Sequence, residues 1–133
     1  MSTVSNTKVG LLVSGLGVAP TLVSKETANA CDGGFKIENP TNGQYVFTLD
    51  GGSTVHLTIT IVNTASGPTF SFASTSGEVI TSIIVKGGPG DANMYSYGAG
   101  VEADSGLHSI VNPNNKNGQY YGLSHICVFA DKL

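Results

Sequence analysis

Arginine is absent from these 133 residues, and charged side chains make up only 11% of them. The formal net charge is −3. Without a cationic field or a guanidinium fork for phosphate, nucleic-acid binding is excluded as the expected role. Attraction to anionic lipid is disfavoured on the same ground. Long apolar runs are also missing. None reaches the roughly 18 uninterrupted residues that a membrane-spanning helix needs. Glu, Lys and Leu are scarce, so little favours helix. Zinc-ligand spacing is absent, as are a Gly-x-Ser-x-Gly elbow and the Gly-Lys-Ser/Thr end of a phosphate loop.

What is present is glycine, 18 residues of it, with Ser, Thr and Asn at most polar positions. That is the composition of short strands joined by tight turns. The hydrophobic content of 40% argues against disorder, and the length suits one domain with a modest core.

The densest signal is Val79-Ile80-Thr81-Ser82-Ile83-Ile84-Val85-Lys86, stopped by Gly87-Gly88-Pro89-Gly90. Its β-branched residues favour a strand, and its apolar density calls for a central position or cover on both faces. Around it lie Phe35 to Glu38, Tyr45-Phe47-Leu49, Val55-Leu57-Ile59-Ile61, Phe70-Phe72, Met94 to Tyr97, Leu107 to Val111, and Ser124 to Phe129. Asn42-Gly43, Asp50-Gly51-Gly52, Ser76-Gly77 and Gly98-Ala99-Gly100 supply turn signals between them. About eight short strands with no helical window predict an all-β fold, a single β-sandwich, with a jelly-roll-like or small-barrel topology as the alternative.

Residues 1–30 stand apart from a domain spanning 31–133. A polar start, an apolar segment from Val9 to Val23 and an Ala28-Asn29-Ala30 end have the layout of a secretory signal. The competing reading is an N-terminal strand or interaction arm. In it Val9, Leu11 and Val13 share a face before a turn at Ser14-Gly15, and the arm pairs with a neighbouring subunit's sheet edge. Cys31 and Cys127 bracket most of the domain; they are either two buried thiols or one bridge, worth about 4 kcal/mol by loop entropy.

Candidate sites are few. Ser124-His125, His108 and His56 raise a small-hydrolase reading, but adjacent residues of a strand face opposite ways. Gly87 to Gly90 read as a tight turn rather than an anion cradle. Asp91 with Asn93, or Glu102 with Asp104, offer oxygens for calcium, against a plain reading as turn-capping loop residues. Tyr95, Tyr97, Tyr120 and Tyr121 form the candidate recognition surface for glycan or protein, although alternation of Tyr95 and Tyr97 fits a core equally.

The segments Gly34-Phe35-Lys36-Ile37, Ile83 to Gly88, Ala92 to Tyr97, Asp104 to His108, Asn112-Pro113 and Gly122 to Ile126 resemble, in this order, a group of small β-rich domains of bacterial secreted and cell-surface proteins. The resemblance covers about residues 31–130. It implies an exported module without established catalysis and with a Cys in the closing strand. In those domains that Cys lies near the position of Phe129, whereas here it is Cys127, two residues away on the same strand face. The expected function is a non-catalytic structural or self-assembling domain, extracellular or at the cell surface, whose partners are copies of itself or other surface proteins. A secreted glycan- or protein-binding module is the alternative. No cofactor is expected beyond the calcium option.

Overall fold

The computed structural model describes residues 13–114 and 118–132. Their elements are β1 (Thr21–Val23), α1 (Lys25–Ala30), β2 (Phe35–Glu38), β3 (Gly43–Thr48), β4 (Thr54–Thr64), β5 (Gly67–Ser74), β6 (Val79–Lys86), β7 (Ala92–Val101), β8 (Ala103–Leu107) and β9 (His125–Asp131). They form two antiparallel sheets in a sandwich-like arrangement. The first has the order β1-β7-β6-β9-β2, and the second β3-β4-β5-β8. The all-β fold is as the sequence patterns predict.

Strand alternation builds the core. In β4, Val55, Leu57 and Ile59 are buried and Thr54 and Thr60 face out. Phe70 and Phe72 of β5 meet them from the next strand, paired at Ile61 and Ile59. Each such side chain contributes about 1.5–3 kcal/mol when fully buried. Strand β6 lies between β7 and β9 and is covered on both faces. Ile80, Ile83 and Val85 enter the core between the sheets, while Ile84 joins a second cluster with Ala28, Cys31, Ala92 and Cys127. Ile80 and Ile83 are an odd number of residues apart, so strict alternation would separate them. A register shift between Ile80 and Ser82 returns both to one face.

The second cluster exists because a helix crosses the back of the first sheet, where the composition gave no helical window. Ser24 caps α1 by accepting a hydrogen bond from the Thr27 amide at 3.1 Å. Cys31 ends it in the left-handed region, with φ 49° and its amide donating to the Thr27 carbonyl. Cys31 and Cys127 are joined by a disulfide, with Cα atoms 5.7 Å apart. The bridge fixes the end of α1 to the middle of β9. Gly34 lies against it, since a Cβ there would come within 2.6 Å of the Cys127 sulfur.

Two further expectations need correction. Gly98-Ala99-Gly100 does not end a strand; it lies inside β7, where positive φ at Gly98 and Gly100 accommodates the bulge against β6. Residues 14–30 are not separate from the domain. They form a tight turn from Ser14 to Val18, then β1 and α1, all packed on the same body. Val9 and Leu11 of the predicted N-terminal strand lie outside the described residues.

The order of strands gives the sandwich two lateral sides. On one, β1 ends the first sheet and β8 the second; on the other, β2 and β3 do.

Candidate functional site

On the β1/β8 side the sheets are joined by polar side chains. Tyr97 of β7 donates a hydrogen bond to Asp104 Oδ2 of β8 at 2.8 Å. Asp104 Oδ1 accepts from the amides of Leu16 at 2.9 Å and Ser105 at 2.8 Å. Gly15 donates to the Ser105 carbonyl, so the N-terminal segment covers the edge of β8 before β1 pairs along β7. Deeper in, the Tyr95 hydroxyl accepts from the His108 amide at 3.1 Å, and Asn93 Nδ2 donates to the His108 carbonyl at 3.0 Å. Burial pushes both Tyr95 and Tyr97 above the usual phenol range, and Asp104 beside Tyr97 adds to it. These two tyrosines are core residues, 0% and 8% exposed, which removes them from any recognition surface. Their alternation is real; the face they share is the interior.

His108 is buried and stacked on Tyr120, with ring centroids 3.8 Å apart. Its Nδ1 lies 2.7 Å from the Ser109 carbonyl, which can only accept, so the proton belongs on Nδ1. Among the described residues Nε2 has no hydrogen-bond partner, and neither has Asn93 Oδ1. Burial holds the His108 pKa below its ordinary value, against the opposing Ser109 carbonyl.

Tyr120 and Tyr121 are half-buried and packed against turns. A Cβ on Gly88 would strike the Tyr121 ring at 2.6 Å, and one on Gly87 the Gly122 carbonyl at 2.1 Å. Gly88 has φ +74°. The Gly-Gly-Pro-Gly turn is therefore shaped by close approach of the 120–122 segment, and Lys86 Nζ donates back into it at the Gly88 carbonyl. Burial lowers the Lys86 pKa, with Lys25 adding to the effect.

The Ser and His candidates do not meet. His125 is buried and its Nε2 donates to the Ala28 carbonyl at 2.9 Å, whereas Ser124 is exposed. Ser109 Oγ donates to the Tyr121 carbonyl at 2.6 Å and not to a histidine. The calcium pairs are not assembled either. Asn93 is turned inward while Asp91 is exposed, and both Asp104 oxygens serve protein donors. Among the described residues no three His, Cys, Asp or Glu side chains converge as a metal site.

The β2/β3 side is built differently. Phe35 and Phe47 stack with centroids 4.3 Å apart and planes 7° from parallel. Beside them opens a groove of about 680 Å³ between the Gly33-Gly34 turn, the Leu49 to Ser53 turn and the end of β9. Its apolar floor is flanked by Asp50, Asp131 and Lys132. Two strand edges border it. Among the described residues β3 has β4 alone as partner, and β9 runs on past Val128, the partner of β2's first residue Phe35, with β6 alone beside Phe129–Asp131. The sequence hides this site, because Phe35 and Phe47 each read as ordinary alternating strand residues. Asp50-Gly51-Gly52-Ser53 marks the turn but not what it faces.

No family model, curated protein or solved structure matches this chain.

Proposed function

We propose that this chain is a structural β-domain that assembles with copies of itself outside the cell or at its surface. The observation that carries the reading is the inequality of its lateral sides. On one, the chain's own residues 14–23 bond to the edge of β8 and pair along β7; on the other, among the described residues, β3 and the end of β9 each have a single partner beside a groove with a Phe35–Phe47 floor and a polar rim. Natural sandwiches cover or blunt such edges, because an unpaired edge is a template for another strand. The disulfide supports an oxidising compartment, since such bridges persist there and are rare in reducing ones. The proposal assigns the domain no catalysis. Light scattering over a concentration series, with negative-stain imaging, tests it. Mass should rise with concentration, and a constant monomer mass would sink the reading.

The stacked Phe pair and the polar rim of Asp50, Ser53 and Asp131 favour a second reading, a secreted glycan-binding module. A glycan array is the check: binding lost on Gly51→Trp, in a protein that stays monomeric, would favour it over assembly.

A further inference from the structure

Resting on the self-assembly reading, we infer that the β2/β3 groove receives the segment Lys8–Val13 of a second copy as an added strand, giving a head-to-tail chain of domains. The N-terminal segment meets the body at Ser14 and Gly15, on the edge of β8. In the second sheet β8 and β3 are at opposite ends, and in the first β1 and β2 are. The point where the segment leaves one domain is thus across the sandwich from the groove. A contact from one side of a copy to the opposite side of the next is heterologous, and it propagates without closing unless a rotation brings it round.

The segment also has the chemistry the groove asks for. Val9, Leu11 and Val13 recur at the two-residue spacing of a strand and would present one apolar row to the Phe35–Phe47 floor. Val13, the described member of the row, is 51% exposed and so unused by its own domain. Lys8 is the segment's one charged side chain, and the groove carries Asp50 and Asp131 against Lys132. The backbone edges of β3 and of Phe129–Asp131 supply the ladder that strand addition requires. The six residues from Lys8 to Val13 span at most about 20 Å when extended, and Val13 adjoins the anchored Ser14, so the docked copies must abut.

The test uses full chains. Val9→Cys and Thr48→Cys proteins are mixed, oxidised mildly and mapped by mass spectrometry without reduction; Thr48 is exposed on the groove lip. A link between positions 9 and 48 on different chains is the expected result. Adding Gly51→Trp to the Thr48→Cys protein should cut its yield roughly tenfold. Position 51 lines the groove with open space around its would-be Cβ, so the bulk blocks the groove without disturbing the fold, which an unchanged urea midpoint verifies. Light scattering of the unaltered and Gly51→Trp chains runs beside it. Assembly that ignores Gly51→Trp and gives no 9–48 link overturns the groove as the docking site while leaving self-assembly intact. A monomer at every concentration overturns both. An intrachain link in a dilute Val9→Cys/Thr48→Cys double variant overturns docking between copies, showing a segment that covers its own groove.

Discussion

The β1/β8 side and the β2/β3 side do the same mechanical task, closing one sheet onto the other, with different chemistry. The first uses directional bonds: Tyr97 to Asp104, Tyr95 and Asn93 to the His108 backbone, and Asp104 to the Leu16 amide. The groups in these bonds have fixed partners, so displacing Asp104 or the tyrosines would orphan buried polar atoms. The second uses one pair of stacked rings, which have no such obligation and leave room beside them for a groove. A polar closure fixes one arrangement; an apolar one tolerates an incomplete edge. That difference is what supports the second side as the proposed docking face.

The contrast between the two sides rests most heavily on the disulfide, which anchors the helix that follows residues 14–23. Replacing both cysteines, Cys31→Ala with Cys127→Ala, should lower unfolding free energy by about 4 kcal/mol, read from urea midpoints, and free α1 from β9. Next is Asp104→Ala, which strands the Tyr97 hydroxyl and the Leu16 amide. About 3 kcal/mol should be lost, with hydrogen-exchange protection falling across residues 14–18 and not at Phe35 or Phe47.

A smaller effect sharpens the contrast through pH. Because burial lowers the His108 pKa, the unfolded chain takes up a proton first as pH falls. Stability is full above the unfolded value of 6.5 and declines below it toward the folded value, by up to about 1.4 kcal/mol per pH unit. His108→Asn should flatten that slope in urea titrations at pH 7.5 and 5. The smallest effect belongs to the other side. Gly51→Ala meets no atom and should change the midpoint by no more than about 0.5 kcal/mol. Gly87→Ala, whose Cβ would collide with the Gly122 carbonyl, should be strongly destabilising in the same assay.

The strands were legible because period-two alternation is a local property. Val55 to Ile59, Phe70 with Phe72, and the central place of β6 all follow from neighbours in sequence. Helix α1 was not, since six residues, Lys25 to Ala30, carry no helical period, and their start is marked by one capping serine. The bulges at Ile80 and within β7 also escape a local pattern, because they serve a distant strand. The site was least legible. Alternation put Tyr95 and Tyr97 on one face without saying which, and the hydroxyls that suggested a surface turn out to bridge two sheets. The groove is made by Phe35, Phe47 and the end of β9, which no sequence spacing relates.

The disulfide has a further consequence, for the action of proteases. It ties residues 96 positions apart, so a single cut in any exposed turn between them, such as Asn112 to Asn114, leaves one covalent molecule. A cut between Val23 and Cys31 has a different outcome. It leaves the part before the cut, with Ser14 to Val23, held by non-covalent contacts alone, and those residues are the cover of both β7 and β8. The ring protects the body of the domain and leaves its seal detachable in one step.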